Sequence, residues 1–314
     1  MSAHRSLHVR GPIATSQPQR SSREPFAWAL LLLVGAVCVG TPAFADDLPA
    51  ACDNDQNSKQ FDVTVSGDFT TDYVYRGVTL SARQPAVGGT IEIDRGPFYF
   101  KFEPHSVKLP TKPSAELGFS GGVCKKVDQI TIDLGATYLY YADEIPVGPV
   151  TSTSYWEGHA TLSIEPVDML TLSAMYAYSP NYSNTGAWEH YVEGDFDLDL
   201  KKIFPDLLPK DMWSLSGAVG RSWFGTQSAS LGGFPLPDYT YWSLGISFTY
   251  KGFTADLTYH NTNLTKEKCF VFTGDPNAVP GGAIDFITNP QGLRSNWCGP
   301  ALVATLSTQF PPEK

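Results

Sequence analysis

The sequence predicts an all-β protein, an antiparallel transmembrane β-barrel of about twelve strands that follows a cleaved signal peptide. Three observations lead to this prediction. Apolar and polar residues alternate almost everywhere after residue 60, short and long connections alternate along the chain, and aromatic residues concentrate at the ends of the apolar faces. Strands with one lipid-facing side, joined by tight turns at one rim and long loops at the other, are typical of this class.

The first 45 residues have the organisation of a secretory signal peptide. An apolar run from Phe26 to Gly40 follows four arginines and precedes Ala43-Phe44-Ala45. A basic start, a short apolar centre and an A-x-A end predict cleavage after Ala45. A retained membrane anchor is the alternative, but this run is short against the ~20 residues of a helical span. The predicted organisation is therefore a signal peptide (1–45), a periplasmic segment (46–60), the barrel (61–310) and a C-terminal extension (311–314).

The charge balance limits the classes of partner. The chain carries 22 Lys and Arg against 32 Asp and Glu, and its mean hydropathy is −0.15. Removal of the signal peptide takes away four Arg and one Glu, which leaves 18 basic and 31 acidic residues and a formal charge of −13. This acidity excludes nucleic acid as a partner, because phosphates require a basic surface. The mean hydropathy excludes a bundle of membrane-spanning helices.

Twelve segments show the period-two pattern of strands with one apolar face. The clearest one places Ile130, Ile132 and Leu134 on one face and Thr131 and Asp133 on the other. No segment sustains the 3.6-residue period of a helix. The predicted strands are 61–75, 85–95, 97–104, 114–122, 127–141, 153–165, 168–179, 187–200, 211–224, 239–250, 252–262 and 299–310.

Aromatic residues mark both ends of the apolar faces. At the long-loop ends these are Tyr73, Tyr75, Tyr138, Tyr140, Trp156, Tyr176, Tyr178, Trp188, Trp223, Trp242 and Tyr259; at the short-turn ends they are Phe98, Trp213, Tyr250 and Phe253. Two aromatic girdles that bracket an aliphatic band of about 25 Å are expected of a transmembrane barrel. The alternative fold is a soluble β-sandwich, which would place its aromatic side chains in the middle of the buried face.

If the apolar faces meet lipid, the polar faces line an enclosed lumen, because an open sheet edge would leave backbone groups unpaired in hydrocarbon. The predicted lumen-lining residues are Asp68, Asp72, Arg76, Glu92, Lys101, Glu116, Asp133, Glu157, His159, Glu189, Glu193, Asp195 and Asp256. Carboxylates dominate this set, so the predicted lumen has a negative potential that favours cations. The alternative is a solvated lining without selectivity.

Four cysteines remain after signal-peptide removal, an even number that suits disulfides in an oxidising compartment. Cys52 precedes the first strand and Cys124 lies in a predicted short turn, whereas Cys269 and Cys298 lie in the longest predicted loop. Pairing within each side joins Cys52 to Cys124 and Cys269 to Cys298. A crossed pair would have to bridge opposite ends of the barrel, far beyond a Cα separation of ~7 Å.

One stretch near the start of the barrel carries a family resemblance. It reads Thr71-Asp72-Tyr73-Val74-Tyr75-Arg76-Gly77-Val78, then Pro85-Ala86-Val87-Gly88-Gly89 and Ile91-Glu92-Ile93. This pattern resembles the opening of the TorF-type porins of proteobacteria, and the resemblance is best over residues 61–142. It implies an exported outer-membrane barrel of unassigned substrate. Asp72 and Arg76 share the inward face of the predicted strand, so Arg76 is expected to pair with Asp72 or with an acid on the next strand.

These features favour a porin-like channel in the bacterial outer membrane that passes small solutes, with cations preferred. The alternative is a plugged structural or adhesive barrel that works through the loop at 263–298. An outer-membrane lipid-modifying enzyme is less favoured, because His190 is the one predicted outward-facing strand histidine and no outward serine neighbours it.

No cofactor or metal is predicted. The expected partners are outer-membrane lipid, small solutes or ions, and the barrel assembly machinery, since Phe310 near the chain end resembles the aromatic signal that this machinery reads.

Overall fold

The computed structural model describes residues 48–52, 59–204 and 213–311 and contains a closed antiparallel barrel of twelve strands. The wall has no free edge, because the first barrel strand pairs with the second on one side and with the last on the other. The barrel strands are β1 (Asp62–Thr70), β4 (Ala86–Arg95), β5 (Phe98–His105), β6 (Ala115–Val127), β7 (Ile130–Ala142), β8 (Tyr155–Val167), β9 (Leu170–Ser179), β10 (Glu189–Asp199), β11 (Trp213–Phe224), β12 (Tyr239–Tyr250), β13 (Phe253–Thr262) and β14 (Ala301–Phe310). Two short strands, β2 (Val74–Tyr75) and β3 (Val78–Thr79), form a separate hairpin. The predicted fold class is confirmed.

The outside of the wall is apolar, as the alternating pattern requires. Mid-strand positions such as Leu134, Leu162 and Leu244 are exposed, while their chain neighbours point inward. Exposed aromatic residues flank this band, among them Trp156, Tyr176, Trp242 and Tyr259 at one end and Phe98, Tyr250 and Phe253 at the other. A closed wall with satisfied backbone groups and an apolar exterior is the form in which strands cross a bilayer. The barrel is therefore that of a bacterial outer-membrane protein.

The two rims of the barrel differ in the length of the connections between strands. The short-turn rim carries the connections 96–97, 128–129, 168–169 and 251–252, and also helix α1 (Leu200–Ile203), whose first backbone N–H groups donate to Asp199. The long-loop rim carries 71–85, 106–114, 143–154, 180–188, 225–238 and 263–300. The predicted signal peptide, residues 205–212 and the last three residues of the extension lie outside the described residues.

Strand β6 is longer than predicted, ending at Val127 rather than at residue 122, and this places one cysteine within the strand. The turn between β6 and β7 is only Asp128 and Gln129, with Asp128 at φ 56°, so the alternation of β6 continues through Lys125 and Lys126. The prediction that Cys124 lies in a short turn is therefore wrong. Cys124 lies within β6 and its side chain is fully buried inside the barrel.

The long loop contains a helix that the sequence pattern did not predict. Helix α2 (Lys266–Thr273) is capped by the hydroxyl of Thr265, which accepts from the Lys268 N–H, and it ends at Gly274 with φ 63°. Eight residues cover little more than two turns, too few for a period of 3.6 to be distinguished. No helix in the described ranges is long and apolar enough to cross a membrane.

Candidate functional site

The barrel interior collects the predicted lumen-lining side chains. Asp68, Asp72, Arg76, Glu92, Glu116, Asp133, Glu157, Glu189, Glu193 and Asp256 are buried, and Lys101, His159 and Asp195 are partly exposed. Most of them project from the inward faces of the wall strands. Asp72 and Arg76 instead belong to a segment that leaves the wall after β1 and folds into the interior.

A hairpin made of β2 and β3 is the main feature that sequence reasoning missed. The predicted first strand, 61–75, ends at Thr70, and the chain then turns inward. Arg76 and Gly77 join β2 to β3 with φ values of 47° and 79°. Positive φ at both central residues is the requirement of a two-residue type I′ turn, and a glycine in that turn was the available sequence signal. Tyr73 and Tyr75 therefore do not belong to the outer girdle: Tyr73 is buried inside.

The hairpin spans the interior from one side of the wall to the other. Near its base, the Tyr73 hydroxyl donates to Glu116 of β6 at 2.8 Å. At its tip, a Cβ added to Gly77 would lie 2.6 Å from the Cβ of Tyr241 and 2.8 Å from Cγ2 of Thr262. The tip therefore fits against β12 and β13 only because residue 77 has no side chain. Glu116, Tyr241 and Thr262 lie within a few residues of the long-loop ends of their strands, so the hairpin occupies the long-loop mouth of the barrel.

Arg76 holds the hairpin tip through an ion cluster that we name the mouth cluster, formed by Arg76, Glu157 and Glu189. The guanidinium donates to both carboxylate oxygens of Glu157, at 2.5 and 2.8 Å, and to Glu189 at 3.3 Å. It also lies 3.8 Å from the ring centroid of Tyr191, and Ser222 donates to Glu189 at 2.9 Å. Burial lowers the pKa of Arg76, but the carboxylates of Glu157 and Glu189 outweigh it and raise that pKa well above its usual value.

The expected pairing of Arg76 with Asp72 or with an acid on the next strand is wrong. Asp72 instead accepts hydrogen bonds from the hydroxyls of Thr79 and Ser81, which close the base of the hairpin. Burial raises the pKa of Asp72, although these two hydroxyls and the charge of Arg83 oppose the rise. Because the hairpin reverses the chain between the two residues, Arg76 reaches strands β8 and β10 on the far side.

Two further carboxylates in the barrel interior lie next to histidine or tyrosine side chains. Asp133 lies 3.0 Å from Nε2 of His159 and accepts from the Tyr99 hydroxyl at 3.2 Å. Asp68 lies 3.8 Å from Nε2 of His105. Neither Tyr99 nor His105 belonged to the predicted lining.

Asp256 is one of the buried carboxylates of the described chain that keep an oxygen without a hydrogen-bond partner; Glu116 and Asp133 are others. Asp256 accepts from the Thr258 hydroxyl at 2.7 Å through one oxygen, while its buried Oδ2 has no hydrogen-bond partner in the described chain. Asp256 lines a cavity of about 10 Å³, and the other lining residues are Asp72, Val74, Thr258, His260, Val303 and Thr305. This volume suits about one water molecule. Glu193 accepts from the Tyr191 hydroxyl, and Asp195 lies opposite Ser173 of the neighbouring strand.

The short-turn end of the interior receives the segment before β1. A 3-10 turn at Ala50–Cys52 packs against Tyr99, and Cys52 is bonded to Cys124 with a Cα separation of 5.0 Å. The Ala51 N–H donates to Glu92 at 3.4 Å, and Lys101 lies 3.7 Å from the same carboxylate. The chain therefore enters the barrel from this end as well.

The second disulfide supports the hairpin from the long-loop side. Cys269 in α2 is bonded to Cys298 with a Cα separation of 5.8 Å, so both predicted pairs are present. The Thr262 hydroxyl donates to the Cys298 carbonyl at 2.7 Å. The Thr79 N–H of β3 donates to the Trp297 carbonyl at 3.0 Å. The loop at 263–300 thus binds both the wall and the hairpin.

His190, the residue of the enzyme hypothesis, lies on the outside of β10. Its Nδ1 is 2.7 Å from the Tyr176 hydroxyl, and the rings of Tyr178 and Trp188 lie 4.8 and 5.0 Å away. The surroundings of His190 are those of an aromatic girdle. In the part of the chain that the structure covers, no group of three or more His, Cys, Asp or Glu side chains is arranged to hold a metal ion.

Comparison with known proteins gives one family match. The family model described as "Bacterial protein of unknown function (Gcw_chp)" matches residues 54–280. No curated protein sequence matches the chain.

Several solved structures are similar at low identity. A NanC porin is 10% identical, with a TM-score of 0.44, over 79% of this chain and 99% of its own. A KdgM porin is 6% identical, with a TM-score of 0.44, over 80% and 99%. The outer membrane channel DcaP of Acinetobacter baumannii is 5% identical, with a TM-score of 0.38, over 80% and 97%. All three scores lie below 0.5, so the architecture rests on the strand pairing of this chain.

Proposed function

The chain belongs to the Gcw_chp family of bacterial proteins, and from this premise we propose that it is a porin-like channel of the outer membrane for small solutes, with cations preferred. The observation that carries the proposal is the enclosed acidic interior. A low-dielectric wall focuses the field of its carboxylates, which attracts cations and repels anions. The resemblance of residues 61–142 to TorF-type porins supports the same class of function.

The hairpin gives this channel a closed conformation. Glu157, Glu189 and Glu193 are each no more than 5% exposed, so water does not reach them from the long-loop mouth. Passage of a hydrated ion therefore requires the β2–β3 hairpin to move away from β8, β10 and β12. The contacts that resist this movement are the mouth cluster and the hydrogen bond from Thr79 to Trp297.

Planar bilayer recordings test the proposal. Purified protein under a KCl gradient is expected to open intermittently, with a reversal potential displaced toward the K⁺ equilibrium potential because the interior is acidic. A displacement toward the Cl⁻ potential would contradict the acidic-lumen assignment. Absence of conductance both in the wild type and in the Arg76→Gln variant, which removes the cation of the mouth cluster, would instead support the alternative of a permanently plugged barrel.

Assembly into the outer membrane is part of the same proposal. Phe310 ends β14 and points outward. An exposed aromatic at the end of the closing strand supports recognition by the barrel assembly machinery, and deletion of residues 310–314 is expected to leave the chain unassembled in the periplasm.

A further inference from the structure

One cation lies on the lipid-facing side of the barrel, in the half nearer the long loops. Among the described strand residues, the outward-facing side chains with a formal charge are Arg95, Lys125 and Arg221. Arg95 ends β4 and Lys125 lies two residues before the end of β6, both near the short-turn rim. Arg221 lies in β11, three residues before Phe224, on the opposite side of the membrane.

The side chain of Arg221 reaches toward the membrane surface. Its guanidinium carbon lies 5.3 Å from the ring centroid of Trp223, which is two residues nearer the long-loop rim. One of its five N–H donors binds the Thr240 hydroxyl at 3.2 Å. No carboxylate of the described residues lies within ion-pair distance of it. An arginine on the lipid face destabilises a barrel by ~2–4 kcal/mol at the bilayer midplane and by little near the interface. The direction of Arg221 toward the long-loop rim therefore places its charge at the level of the lipid headgroups.

The neighbours of Arg221 complete an outward patch of donors and rings. On β10, Val192 lies opposite Arg221 and His190 lies opposite Trp223. His190 is therefore a diagonal neighbour of Arg221, at a typical Cα separation of ~7–8 Å. Its Nδ1 is 2.7 Å from the Tyr176 hydroxyl; with this hydroxyl donating, the ring proton is on Nε2 and provides a second donor.

We propose that Arg221, together with Trp223 and His190, binds the phosphate of a phosphorylated glycolipid in the outer leaflet. Guanidinium groups bind phosphate with paired N–H donors, and an anionic headgroup supplies the counter-charge that no described carboxylate supplies to Arg221. The position of the patch on the lipid face selects a lipid over a soluble anion, because lipid headgroups surround this level of the wall on all sides. The site is separate from the lumen, so it does not depend on conduction.

Native mass spectrometry of the full-length protein tests this site. The wild type is titrated with bis-phosphorylated lipid A, with the same lipid after phosphatase treatment, and with inorganic phosphate. The Arg221→Gln variant is expected to bind the phosphorylated lipid about tenfold more weakly, since one charge-assisted contact is lost. Lys125→Gln removes the same charge at the opposite membrane surface and is expected to bind like the wild type. The barrel fold of each variant is checked by heat-dependent gel mobility.

Three outcomes would overturn the proposal. They are equal binding of the phosphorylated and phosphatase-treated lipids, unchanged affinity in Arg221→Gln, and full displacement of the lipid by inorganic phosphate. If Arg221→Gln does not fold, Arg221→Lys keeps the charge but not the paired donors, and weaker binding than that of the wild type is expected. Affinity of Arg221→Lys equal to that of the wild type would contradict the paired-donor contact.

Discussion

At the scale of single residues, Arg76 belongs to the sequence motif at 71–78 and also holds the hairpin in the long-loop mouth of the barrel. It is buried, it contacts two carboxylates and a tyrosine ring, and its own backbone adopts positive φ. A buried ion pair contributes little net stability relative to apolar residues, but removal of one partner leaves the other charge buried and unpaired. Arg76 therefore sets where the hairpin tip lies.

The Arg76→Gln variant is expected to release the hairpin. Loss of the guanidinium leaves Glu157 and Glu189 without their cation, at a cost of about 3–5 kcal/mol to the closed conformation. Single-channel recordings should then show a higher open fraction than in the wild type. Lys112→Gln removes the same charge from an exposed loop residue at the same rim and should leave the open fraction unchanged. An unchanged open fraction in Arg76→Gln would contradict the role of the mouth cluster.

At the scale of elements, one disulfide fastens the segment before β1 to the wall, and the other closes the long loop that holds the hairpin. Cys52–Cys124 fixes the segment before β1 against β6. Cys269–Cys298 fixes α2 and the end of the long loop, whose carbonyl at Trp297 receives the hairpin. The segment before β1 is thus bonded covalently to the wall, whereas the hairpin is held by noncovalent contacts to the wall and to the long loop.

The double variant Cys269→Ser and Cys298→Ser is expected to loosen the long loop. The bond closes a loop with a sequence separation of 29, for which the chain-entropy estimate is roughly 3–4 kcal/mol. Limited proteolysis should cut the variant between 274 and 295 faster than the wild type, and its open fraction in bilayers should rise. The matched control is Cys52→Ser with Cys124→Ser, which removes a bond at the opposite rim. Equal cleavage of this loop in both variants would mean that the second bond does not restrain it.

At the scale of the whole molecule, the lipid face and the enclosed interior follow from one alternating pattern. A substitution on the lipid face therefore tests the orientation of the entire wall. Leu162→Arg places a charge in the apolar band and is expected to destabilise the barrel by about 2–4 kcal/mol in lipid, measured by urea unfolding in vesicles. Leu162→Val keeps the position apolar and should cost much less. Equal stability of Leu162→Arg and the wild type would show that this face does not meet hydrocarbon.

The same pattern explains what the sequence could predict and what it could not. Period-two alternation determines which side chains face inward, so positions such as Glu157, Glu193 and Asp256 could be placed from sequence. It could not place Arg76, because the segment after Thr70 still alternates while its backbone has left the wall. The partners of Arg76 are Glu157 and Glu189, 81 and 113 residues further along the chain, and only the closed cylinder brings them together.

The bond between Cys52 and Cys124 bears on how the molecule is built. It joins the stretch ahead of β1 to β6, so β1, β4 and β5 lie within one covalent ring. A chain that is oxidised before its insertion reaches the outer membrane with residues 52–124 already closed into a ring. The factor that inserts the polypeptide must then accept a ring at the amino-terminal end, whereas strands β7 to β13 lie between the two disulfides and can arrive as a linear chain before β14 meets β1.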